Sequence, residues 1–105
     1  MVKSILTRKT SVKDRDQWQS RLEAVLPKVR AVLEAEAGFQ SVEYTWGAEN
    51  DGEFVQITSW DTLDNCNRYV REGGAATVGA LEDRAIPTAS QPDGTWVRKT
   101  YEDAA

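Results

Sequence analysis

From Trp18 onward the apolar residues step by four and three: Trp18, Leu22, Val25, Val29 and Val32, then Glu36, with Leu26 and Leu33 beside them and polar residues opposite. This is the stripe of a long helix with one buried side. Ser11, with Asp14 three positions on, predicts its cap, and Gly38 its end. Pro27 removes one backbone donor inside the stripe, which predicts a kink or break between Glu23 and Pro27. Before the helix, Val2 to Arg8 reads as a short strand. After it, Gln40 to Trp46 alternates, with Val42, Tyr44 and Trp46 on one face and Ser41, Glu43 and Thr45 on the other. Gly47 to Gly52 is a turn, and Glu53 to Trp60 is a strand placed to form an antiparallel hairpin with the one before. Phe54 and Trp60 lie on one of its faces and Val55 and Ile57 on the other, so it belongs at the centre of a sheet.

Asp61, with Asp64 three residues later, predicts the cap of a second helix whose apolar positions are Leu63, Cys66, Tyr69 and Val70. Gly73 and Gly74 stop it; Val78, Leu81 and Ala85 suggest a further short helix before a loop from Pro87 to Gly94. Thr95 to Tyr101 closes the pattern as a strand. The order strand, helix, strand, strand, helix, strand predicts one α+β domain over residues 1–105: a ferredoxin-like four-stranded antiparallel sheet with both helices on one face. Two helices cannot hide Tyr44, Trp46, Phe54, Trp60 and Trp96 together, which predicts a homodimer burying the other face.

Composition narrows the chemistry. In 105 residues, 40% are apolar and 29% charged, with a net charge of −4. That favours folding over disorder and argues against a nucleic-acid partner, since Lys9, Lys13 and Arg15 make no basic stripe. The apolar runs are too short to cross a membrane, and the start has no signal-peptide pattern, so a cytoplasmic location is expected. One cysteine and no histidine exclude an internal disulfide and a zinc site of the usual type, and remove the commonest general base. Asp61 and Asp64 read as capping residues, Glu34 and Glu36 fall at a helix end, and Cys66 reads as a small buried hydrophobe.

The long Pro-bearing helix ending in AEAGF, the strand EFVQITSW and the helix DTLDNCNRYV together resemble the antibiotic biosynthesis monooxygenase superfamily of dimeric α/β barrels. The resemblance implies a cofactor-independent oxygenase, or a related cyclase or isomerase, acting on a small aromatic, polyketide-like substrate without metal or flavin. Trp60 matches the tryptophan that lines the cavity in such proteins, and Gln56, four residues earlier, stands where polyketide oxygenases carry an asparagine. Gln56, Thr58 and Trp60 share a strand face at spacing two, so an amide, a hydroxyl and an indole can converge on one ligand. The expected catalytic residues are Gln56 as oxyanion donor, Trp60 and Thr7; Thr58, Trp60 and Tyr69 are expected to bind a small aromatic or hydrophobic ligand. In the haem-degrading branch an asparagine on the first strand and a histidine near the second helix act; here Thr7 holds the former place and residues Val70 to Val78 contain no histidine. The alternatives are a non-catalytic dimeric ligand-binding module and a haem binder using Tyr69 or Cys66 as an unusual ligand.

Overall fold

The chain runs β1 (Val2–Lys9), α1 (Arg15–Glu34), β2 (Phe39–Trp46), β3 (Glu53–Trp60), α2 (Leu63–Arg71), α3 (Gly74–Ala85) and β4 (Trp96–Glu102). The computed structural model describes residues 1–49, 51–88 and 96–104, apart from the Trp96 side chain. Thr95 and the loop expected beyond Thr88 fall outside the described residues, as does Asn50 of the turn. The strands form one antiparallel sheet in the order β2-β3-β1-β4, the ferredoxin-like α+β arrangement, with β3 central as its two apolar faces require. Alternation then sorts the side chains. Val2, Ser4, Leu6 and Arg8 of β1 and Phe54, Gln56, Thr58 and Trp60 of β3 are buried, whereas Ile5, Thr7, Val55 and Ile57 on the opposite face are half-buried.

Helix α1 lays Trp18, Leu22, Val25, Val29 and Leu33 on the sheet, each such burial contributing about 1.5–3 kcal/mol. Of the kink or break expected near Pro27, the break does not occur: the helix runs through the proline as one element. The proline is on the exposed side, where the carbonyl of Glu23 left without an amide partner faces water. Asp14 itself, not Ser11, is the cap: its carboxylate accepts from the Asp16 amide at 2.9 Å. The cap of α2 is likewise Thr62, which accepts from the Asn65 amide at 3.2 Å, while Asp61 accepts from the Asn65 side chain at 2.9 Å. The α1 helix ends at Glu34, and Gly38 serves the turn that follows. With φ of 81° it has a left-handed backbone, and a Cβ there would meet Asp61 Oδ1 at 2.1 Å.

Of the five aromatic residues from which a bare face was expected, the Trp96 side chain lies outside the described residues and the other four are not left bare. Tyr44, Trp46, Phe54 and Trp60 all sit on the helix-covered face and pack into the core, where Trp18 meets Trp46 and Phe54 at 5.0 and 5.5 Å between ring centres. The uncovered face instead carries Ile5, Val55, Ile57, Val97 and Tyr101, the last two 40% and 49% exposed. Among the described residues, no helix is long and apolar enough to cross a membrane.

Candidate functional site

Register places four side chains in a row across the helix-covered face: Tyr44, Gln56, Leu6 and Arg98, one from each strand. Above the Leu6 and Arg98 end of that row is a cavity of about 680 Å³ open to solvent. Its far wall is α3, through Ala75, Ala76, Gly79, Ala80 and Asp83, with Val70 and Thr88 completing it. The wall residues recur at helical spacing, and four of them carry at most a methyl group, which is why α3 leaves space there. The other side of the same helix points Val78 and Glu82 into the core.

Arg98 is the positive group on the cavity floor. It is half-buried, donates to Ser4 Oγ at 2.6 Å and lies 6.0 Å from the centre of the Tyr69 ring. Among the described residues it forms no salt bridge, although its charge reaches the buried Glu82 carboxyl and acts with Arg8 to favour the ionised form there. Asp83, on the opposite wall, is half exposed. Hydrogen bonds from the hydroxyl and amide of Thr88 and the nearby charge of Arg8 hold its carboxyl below the ordinary range, making it a weak base.

Behind the cavity is a buried polar network. Arg8 donates to Glu82 Oε1 at 3.2 Å, to Asp83 Oδ1 at 3.3 Å and to Thr88 Oγ1 at 3.0 Å. Glu82 Oε2 accepts from the Tyr44 hydroxyl and, at 2.5 Å, from Gln56 Nε2. Burial pushes the Glu82 carboxyl up, against the pull of Tyr44, Arg8, Gln56 and Arg98; it also draws the Arg8 guanidinium down, against Glu82 and Asp83. The Tyr44 hydroxyl is pushed well up by burial and by Glu82, so it remains a donor.

The residues expected to form the site are therefore distributed differently. Gln56, Thr58 and Trp60 do share one face, but all three are fully buried and engaged among themselves and their neighbours. Trp60 Nε1 donates to Thr58 Oγ1 at 2.9 Å, and its ring stacks on Tyr69 at 4.7 Å and meets Phe39 edge-on at 5.7 Å. The Gln56 amide donor, expected to face an oxyanion, is turned to Glu82, leaving its acceptor Oε1 unpartnered among the described residues. Thr7 is on the opposite face of the sheet, beside Ile5, Val97, Lys99 and Tyr101, because it differs from the inward Leu6 by one residue in a period of two. Tyr69 is fully buried, and its hydroxyl has no partner among the described residues. Cys66 is fully buried too, and burial pushes its thiol up. Arg8, Tyr44, Glu82, Asp83 and Arg98 were missed as site residues. Arg8 could have been found from its even spacing with Val2 and Leu6, and Glu82 from its distance of four to Val78.

Across the whole chain this architecture has been seen before. A Bordetella bronchiseptica protein assigned to the antibiotic biosynthesis monooxygenases superposes with a TM-score of 0.70 at 12% identity, covering 99% of this chain and 97% of that one. The fold is that of the antibiotic biosynthesis monooxygenases. A Caulobacter crescentus protein given the same assignment shares this monooxygenase fold at TM-score 0.63 and 13% identity, over 99% and 90% of the two chains. So does SnoaB, a cofactor-independent oxygenase from Streptomyces nogalater, at TM-score 0.62 and 16% identity, over 99% and 94%. No protein-family model and no curated protein matches the sequence.

Proposed function

We propose that the chain is a small oxygenase working without metal or flavin, as a homodimer, on a compact aromatic substrate held between the sheet and α3. The observation that carries the reading is the cavity itself: small residues of α3, with Asp83 among them, above an arginine that forms no salt bridge among the described residues. The same fold in a cofactor-independent oxygenase supports it.

The chemistry asks little of the protein. An acidic carbon or phenol of the substrate loses a proton, and the positive charge of Arg98 favours the resulting anion. The anion passes one electron to molecular oxygen; the carbon radical and superoxide combine, forming a C–O bond. Protonation of the peroxide, cleavage of its O–O bond and loss of the remaining C–H proton give a carbonyl and one water. Oxygen is the oxidant and the substrate supplies all the electrons. The bonds from Thr88 and the charge of Arg8 lower the basicity of Asp83, and in this reading deprotonation follows the substrate's own acidity under the field of Arg98. Tyr69 and Trp60 support the site from behind: Arg98 lies against the Tyr69 ring, and Trp60 stacks on Tyr69. Ile5, Ile57 and Val97 of the uncovered face suit a second copy of the chain.

The test is oxygen uptake with anthrone as substrate, in EDTA and without flavin. Uptake should persist, and Arg98→Gln should lower its rate by about tenfold to a thousandfold. An unchanged rate in Arg98→Gln would place the reaction elsewhere. A second reading, a dimeric ligand-binding module, is favoured by the commitment of the Gln56 amide to Glu82. It replaces the first if no phenolic substrate supports enzyme-dependent uptake. Haem binding finds less support, because Tyr69 and Cys66 are both wholly buried.

A further inference from the structure

Two charged groups of opposite sign line the cavity, one from the sheet and one from α3. Arg98, on β4, presents a positive charge from the floor, anchored by Ser4. Asp83, on α3, presents a half-exposed carboxylate from the facing wall, its Oδ1 fixed by Thr88 and Arg8. Leu6, Val70 and the small residues of α3 make up most of the remaining lining. A volume of about 680 Å³ exceeds what a two-ring aromatic molecule fills.

These two ends make different demands. A half-buried guanidinium that forms no salt bridge among the described residues, its pull shared with the more deeply buried Glu82, takes a planar anion, carboxylate or ionised phenol, through its N–H donors. A carboxylate that stays ionised accepts a hydroxyl or N–H donor and repels a second anion. We propose that the cavity selects a flat aromatic substrate carrying one anionic oxygen group at one end and a neutral hydroxyl donor at the other, with Arg98 holding the first and Asp83 selecting the second. This rests on the cavity being the substrate site, as the oxygenase reading has it, and adds the substrate class. The low carboxyl of Asp83 is consistent with its part, since it remains an acceptor throughout the neutral range. Asp83 discriminates by repulsion as well as attraction, which its hydrogen bonds within the protein do not require.

Equilibrium binding tests this without any turnover. Calorimetric titration of the intact chain should show 6-hydroxy-2-naphthoate binding about tenfold or more tightly than 2-naphthoate, which lacks the donor, and than naphthalene-2,6-dicarboxylate, which adds a second anion. In Asp83→Asn the amide keeps the bonds to Thr88 and Arg8 but loses the charge, so the penalty against the dicarboxylate should fall by about tenfold. A loss of structure alone would weaken all three ligands together. Equal affinity of the wild-type chain for the three ligands overturns the proposal, as does binding of none at millimolar concentration, or an unchanged ratio in a folded Asp83→Asn. If the ratios switch as stated but no substrate is oxidised, the oxygenase reading fails and the selectivity stands. If anthrone is oxidised while the three ligands bind alike, the reverse holds.

Discussion

Replacing Arg8 by methionine removes the cation from the buried network while leaving a side chain of similar length against the Phe54 ring, over which the guanidinium now sits at 5.3 Å. Arg8 and Glu82 are both at zero side-chain exposure, and their contact is 3.2 Å. Breaking such a pair leaves a carboxylate that water cannot reach. Tyr44 and Gln56 still donate to it, but its main counter-charge is gone. The expected loss is about 3–5 kcal/mol, a large share of the 5–15 kcal/mol that holds a typical domain. At about 4–8 °C for each kcal/mol, melting should fall by roughly 12 °C or more. Removing both charges is a different perturbation: Arg8→Met with Glu82→Leu takes away the stranded group, so most of the loss should return. Urea unfolding followed by far-ultraviolet circular dichroism measures all three proteins. The reasoning fails if Arg8→Met lies within about 1 kcal/mol of wild type, the size of an ordinary substitution. It also fails if the double variant is no more stable than the single one.

The same network sets a pH dependence. Burial raises the Glu82 carboxyl above its ordinary 4.5, so the folded chain holds that proton more tightly than the unfolded one, and the contribution to stability declines as pH rises from about 4.5 through the folded value. Relative to wild type, Glu82→Gln should therefore gain stability as pH is raised through that window; a gain on lowering pH would contradict it. Asp83, held below its ordinary 3.8, works the other way, its contribution present above about 3.8 and lost as pH falls through the lower folded value. Gln56→Leu deprives Glu82 of one buried donor and should cost about 1–3 kcal/mol in thermal or urea unfolding, a loss that a side chain facing an open cavity would not show. Light scattering at micromolar concentration should give twice the chain mass, and a stable folded monomer would remove the homodimer from the proposal.

The elements were legible from period alone. Steps of four and three marked α1, the alternation through Val42, Tyr44 and Trp46 marked β2, and two apolar faces put β3 inside the sheet. The shared face of Gln56, Thr58 and Trp60 was legible for the same reason: in a strand, position parity is direction. Local chemistry was less so. Asp14 and Thr62 are the caps where residue type and spacing point to Ser11 and Asp61, because a cap depends on where the first helical turn closes and not only on residue type.

What the sequence by itself determined was which side chains look inward; what they meet there was decided by tertiary structure. Arg8 and Arg98 lie 90 positions apart, yet both come to the helix-covered face because β1 pairs with β4 as well as β3. Nothing local distinguishes the arginine that forms salt bridges with Glu82 and Asp83 from the one that donates to Ser4 and lies on a tyrosine ring, because partners at separations of 74 and 94 residues are set by sheet order and by the seat of α3. Likewise the run of small residues in α3 reads as an ordinary helix until the sheet beneath it shows that those methyl groups bound empty space. A charge is worth little in water and much beside a carboxylate in the core, so the chemistry of this chain follows from packing that no short stretch of it contains.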